Sequence, residues 1–194
     1  MTDDTGTDAG TDAGLHLVQA FDEQPDLDID LDRYVRLARF VLETERPGFE
    51  AELTILFVDE TTMADYHERF LDEPGPTDVM AFPMDEELPP SGRSPDNGDR
   101  GPGAPATEGE PPAILGDVMV CPAFAAREAG ARGVDVVDEI SLLVVHGVLH
   151  LLNYDHAEPS EEAVMQARQR ALLEGFASDE LRRANPGTER EDGR

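Results

Sequence analysis

Lysine and tryptophan do not occur in this 194-residue chain, and cysteine occurs once, at Cys121. One thiol cannot close a disulfide within the chain, so a disulfide scaffold is excluded and a reducing cytoplasm is the expected compartment. Positive charge is also scarce: 15 arginines face 43 acidic side chains, for a formal net charge of −28. Proteins that hold nucleic acid unaided usually present a basic patch, because phosphate contacts dominate their affinity, and this composition argues against one. No run is long and apolar enough to cross a bilayer, and the N-terminus lacks a basic-then-apolar leader, so no membrane association is expected.

The length suits one domain with a real core. Residues 1–14 repeat T-D-A-G with almost no apolar side chain and are expected to be a disordered acidic tail. Residues 87–112 are dense in Pro, Gly, Ser and Asp, which predicts a tolerated disordered insertion inside the domain. Residues 177–194 are charged and are expected to fray from about Ser178. The folded domain is therefore expected at 15–176.

Within it, Leu15–Phe21 reads as a strand. From Leu31 to Glu45, apolar Leu31, Tyr34, Val35, Ala38, Val41 and Leu42 recur at three and four, which predicts an amphipathic helix. Arg33, Arg36 and Arg39 on that helix read as a solvated face rather than as an RNA-binding stripe. A strand follows at Glu52–Val58, then a helix from Thr61 or Thr62 to about Phe70, and a strand within Gly75–Pro83. Pro122 opens a helix over Ala123–Arg132, and Asp135 or Val136 starts one running to about Leu152. A last helix is expected from Ser160 to Phe176, with Met165, Ala167, Ala171 and Leu172 inward.

The most informative stretch is Val144–Glu158, V-V-H-G-V-L-H-L-L-N-Y-D-H-A-E, which carries three of the five histidines. Side chains four apart on a helix share a face, so His146 and His150 can aim at one ion. The break at Asn153-Tyr154-Asp155 lets the chain fold back to bring His156. Three histidines with an open fourth position suit a catalytic zinc, whereas a structural site fills all four positions with protein ligands. Asp138, Glu139, Asp155 and Glu158 are candidates to hold the far nitrogen of a ligating ring. The position after the first histidine is Gly147, so the glutamate base of the H-E-x-x-H zinc proteases is missing. Gly147 is expected to admit another backbone close to the helix.

The run H-G-V-L-H-L-L-N-Y-D-H, His146–His156, resembles the H-G-x-L-H-L-x-G-Y-D-H motif of the YbeY-type bacterial metal-dependent endoribonucleases. Asn153 replaces the family's glycine, which suggests a left-handed backbone at the helix end, a conformation Asn tolerates. The segment P-T-D-V-M-A-F resembles the family's P-T-D/N-V-L-S-F. Leu115–Cys121 resembles its next strand, L-G-D-I-x-I-C, where Cys121 reads as a small buried apolar residue. The resemblance covers about residues 15–175. It implies an α+β fold: a single small mixed β-sheet with helices packed on it, and a zinc site at a helix end and the following loop. The element order argues the same class.

The resemblance further implies one Zn²⁺ held by His146, His150 and His156, with Arg69 acting on the substrate phosphate. The implied activity is single-strand-specific endoribonuclease action in rRNA processing, including 3′ end maturation of small-subunit rRNA, and in ribosome quality control. Expected partners are single-stranded rRNA and the small ribosomal subunit or its proteins. The alternatives are a non-catalytic ribosome assembly factor stapled by its metal, and a zinc hydrolase acting on another ester or amide.

Overall fold

The computed structural model describes residues 16–84, 112–154 and 159–185. The expected tail at 1–14, Leu15, residues 87–111 of the expected insertion, His156 and residues 186–194 lie outside the described residues. One four-stranded sheet has the order β1-β2-β4-β3, built from β1 (His16–Asp22), β2 (Ala51–Phe57), β3 (Val79–Pro83) and β4 (Ala113–Val120). Strands β1, β2 and β4 run parallel, and β3 joins β4 antiparallel, so the sheet is mixed as expected. The helices are α1 (Leu31–Glu45), α2 (Glu60–Leu71), α3 (Pro122–Arg132), α4 (Val136–Leu151) and α5 (Pro159–Ala184).

The period-2 pattern decides which face each helix covers. In β2, buried Ala51, Leu53, Ile55 and Phe57 alternate with half-buried Glu52, Thr54 and Leu56. The buried set joins one core with Leu37, Ala38, Val41 and Leu42 of α1 and Ile140, Val144 and Val148 of α4. On β3 the two faces part likewise: Val79 and Ala81 pack on that core, while Met80 and Phe82 join Met119 under Met63 of α2. Helix α2 begins before the threonines because Asp59 caps it, accepting from the Thr62 N–H at 2.7 Å.

Helix α4 is buried on nearly every side, with Glu139, Ile140, Ser141, Leu143, Val144, Val145, Gly147, Val148, Leu149 and Leu151 all inside. Asp135 caps it, accepting from the Val137 N–H at 2.8 Å. Gly147 sits tightly against the sheet. A Cβ there would lie 2.5 Å from Cγ1 of Val118 on β4. The neighbour is thus a side chain, not the backbone that the sequence suggested. At Gly116 the reverse holds: φ is +126°, and a Cβ would meet the Phe82 carbonyl oxygen at 2.0 Å. That glycine lets β3 pair where the β2–β4 register shifts.

Two expectations are corrected here. Helix α5 does not fray at Ser178 but continues to Ala184. Glu180 is the reason: both Arg33 and Arg36 of α1 pair with its carboxylate, Arg36 at 3.2 Å. The Arg33 guanidinium also lies 5.3 Å over the ring of buried Phe176. These arginines are therefore pins between helices, not a solvated stripe. A short-range reading missed them because the partners lie more than 140 residues apart.

His16, buried at the start of β1, titrates below the usual histidine range. Burial is the larger cause; Glu43, with its carboxylate 3.5 Å from Nε2, opposes it, and Arg39 adds to the lowering. The folded state thus keeps the ring neutral while the unfolded chain takes up a proton at about pH 6.5. Stability from this group is full above that pH and is lost as pH falls through it toward the lowered folded value. Urea midpoints of His16→Leu should depend less on pH between about 7 and 5 than those of the native protein; an equal slope would remove His16 from the account. Gly147→Ala should cost about 1–3 kcal/mol by overpacking against Val118. Combined with Val118→Ala it should cost less than the two singles summed, because the clashing methyl is gone.

Candidate metal centre

His146 and His150 occupy the last two turns of α4 and are half-buried, one turn apart. Their Nε2 atoms approach to 3.0 Å, with ring centroids 4.5 Å apart and planes at 78°. Two imidazole lone pairs facing each other at that distance repel unless a proton or a cation lies between them. Zn–N bonds of about 2.0–2.1 Å in tetrahedral array place two donor nitrogens about 3.3 Å apart, close to what is found. The donors sit near the C-terminal end of α4, where the helix dipole favours a cation. The pair therefore fits a divalent ion. Among the described residues no cluster of three ligating side chains occurs, and the expected third ligand, His156, lies outside them.

Behind the pair, Gln169 of α5 sets its side-chain amide nitrogen Nε2 3.1 Å from Nδ1 of His146. Gln169 is 6% exposed. Of the carboxylates expected in this role, the two that are described, Asp138 and Glu139, are engaged or placed elsewhere. Glu139 is buried in an ion pair with Arg132, and Asp138 is exposed in the first turn of α4, about 12 Å along the axis from His146. Asp155 and Glu158 lie outside the described residues.

The turn after α4 is closed from several directions. Asn153 has φ of 65°, the left-handed conformation its place in the motif implied. Its N–H donates to the His150 carbonyl at 2.9 Å, and the Tyr154 N–H donates to Leu149 at 3.0 Å. The Tyr154 hydroxyl then donates to Oε2 of Glu45 at 2.7 Å, and Arg168 of α5 donates to Oε1 of the same carboxylate. Burial, then the Glu45 carboxylate, pushes the Tyr154 phenol up to about 12, so it remains a donor at neutral pH. The turn that leads toward His156 is thus tied to the end of α1 and to α5.

Arg69 lies in the last turn of α2 with its guanidinium 5.5 Å over the Phe70 ring. Tyr66, Phe70 and Phe82 cluster there, with Phe70 and Phe82 centroids 5.1 Å apart. Among the described residues no hydrogen bond or ion pair joins Arg69 to His146 or His150. In the P-T-D segment the Asp78 carboxylate accepts from the Val79 N–H at 2.8 Å and from the Thr77 hydroxyl at 3.1 Å, and the Asp78 carbonyl accepts from Cys121 N–H. The side-chain bonds shape the loop itself, and the backbone bond ties it to the end of β4. Burial pushes the Cys121 thiol up, in keeping with an inert apolar residue.

A family model described as Endoribonuclease YbeY matches residues 19–177. The endoribonuclease YbeY of Mycobacterium sp. strain KMS is 48% identical over 156 residues, covering 80% of this chain and 81% of its own. That of Thermobifida fusca is 50% identical over 147 residues, covering 76% and 86%. A Thermotoga maritima protein solved in solution shares the fold with a TM-score of 0.55 at 18% identity, over 91% of this chain and 100% of its own. The chain belongs to the endoribonuclease YbeY family.

Glu45→Ala should cost about 2 kcal/mol in urea unfolding, because the buried carboxylate satisfies both the Tyr154 hydroxyl and Arg168. A cost of a few tenths would show that the turn is held otherwise.

Proposed function

We propose that the protein is a single-strand-specific, zinc-dependent endoribonuclease acting in rRNA processing, including 3′ end maturation of small-subunit rRNA, and in ribosome quality control. The observation that carries the reading is the convergence of the His146 and His150 Nε2 atoms to 3.0 Å inside a family of endoribonucleases. His146, His150 and His156 would hold one Zn²⁺. An ion there supplies Lewis acidity toward water and toward a phosphoryl oxygen.

The chain's own residues do the rest. The two α4 rings are fixed by a helix that cannot rotate in its core, so the donors need no rearrangement. Gly147 leaves the position after the first histidine without a carboxylate base, which disfavours peptide hydrolysis by the H-E-x-x-H route. Arg69 offers a permanently charged planar group that can pair with a phosphate and spread the charge of in-line attack. The net charge of −28 implies weak, salt-sensitive affinity for free RNA. Docking on the small ribosomal subunit or its proteins would supply the effective concentration. No described helix is long and apolar enough to cross a membrane; the proposed site of action is the cytoplasm.

The direct test is cleavage of labelled single-stranded RNA from the 3′ region of small-subunit rRNA by the native protein and by His150→Ala, with and without zinc. Zinc-dependent cutting by the native protein, reduced at least about 100-fold in His150→Ala, is the expected result. Equal cutting by both, or none by either with small subunits present, would move the non-catalytic assembly-factor reading ahead.

A further inference from the structure

We infer that Gln169 is a positioning residue for the metal centre, fixing the tautomer and orientation of His146; the inference rests on the metal-binding reading above. An imidazole that offers Nε2 to a cation must carry its proton on Nδ1, and that N–H requires an acceptor. Nδ1 of His146 faces away from His150 and lies 3.1 Å from the terminal amide group of Gln169, placed with Nε2 toward the ring and brought to Oε1 by a half-turn of the amide, while Nε2 of His146 faces His150 at 3.0 Å. The ring is therefore held at both ends, one for the ion and one for the amide.

The amide suits this task better than a surface side chain would. Gln169 is 6% exposed, and a buried amide without partners costs free energy, so its position on α5 is constrained by the bond it makes. The oxygen and nitrogen of a glutamine amide exchange by rotation about its last bond without changing the space it fills. Oε1 can thus take the place facing Nδ1 and accept its proton. Next to it on the same helix, Arg168 holds Glu45 and through it Tyr154. One turn of α5 thereby braces both the first histidine and the turn beyond the second.

The test is zinc affinity of the full chain, read by competition with a chromophoric chelator, for the native protein, Gln169→Met and Gln169→Glu. Circular dichroism checks that each is folded. Methionine keeps the shape and removes the acceptor, so affinity should fall about 10–100-fold. Glutamate keeps an acceptor facing Nδ1 and should bind zinc at least as tightly as the native protein. Native affinity in a folded Gln169→Met would overturn the inference, as would a Gln169→Glu protein as weak as the methionine variant. Failure of the native protein itself to take up zinc would instead overturn the metal reading on which this one rests.

Discussion

Two ring nitrogens 3.0 Å apart at the end of a buried helix are the constraint around which the rest of the structure is arranged. Lone pairs at that distance are tolerated when something positive lies between them, and the energetic demand is greatest where water is scarce. A flexible loop would relieve the contact by moving. Helix α4 cannot, because it is packed on nearly every side, and Gly147 lets it settle directly onto Val118 of the central strand β4. That rigidity holds the two ring nitrogens within 3.0 Å of each other.

The support comes from elements distant in sequence. Strand β4 receives the helix, and the bulge at Gly116 lets β3 complete the sheet beside it. Helix α5 lies behind the histidines and brings three kinds of contact in succession: Arg168 to Glu45, Gln169 to His146, and, about three turns later, Glu180 to the arginines of α1. Its length follows from this work. A helix ending at Phe176 would leave Arg33 and Arg36 without the carboxylate that joins α1 to α5.

What could be read from the sequence was local. His146 and His150 were legible because four-residue spacing on an apolar helix fixes a shared face whatever the rest of the chain does. The backbone at Asn153 was legible through the family's glycine at that position, because a left-handed helix end favours Gly and Asn stands in for it readily; its φ of 65° agrees. Strand β3 followed from the alternation of Val79 and Ala81 against Met80 and Phe82, and β4 was reached through the resemblance. Gln169 was not legible: it lies 23 residues from His146, and no local rule separates it from the other polar residues of α5. The same distance problem hid Glu180 and turned Arg33 and Arg36 into an apparent surface stripe. Among the carboxylates near the motif, Glu139 attracted attention through proximity in sequence, but Arg132, which the turn at Gly133 brings back, holds it. Arg69 was reached through the resemblance alone, and it lies exposed in the last turn of α2 with its guanidinium over the Phe70 ring.

Zinc-edge X-ray absorption of the zinc-loaded native protein, compared with His150→Ala, tests the central claim most directly. The account predicts a first shell with imidazole nitrogens at about 2.0–2.1 Å that loses one ring in the variant. A shell made of oxygen alone, or one unchanged when His150 is removed, would contradict it.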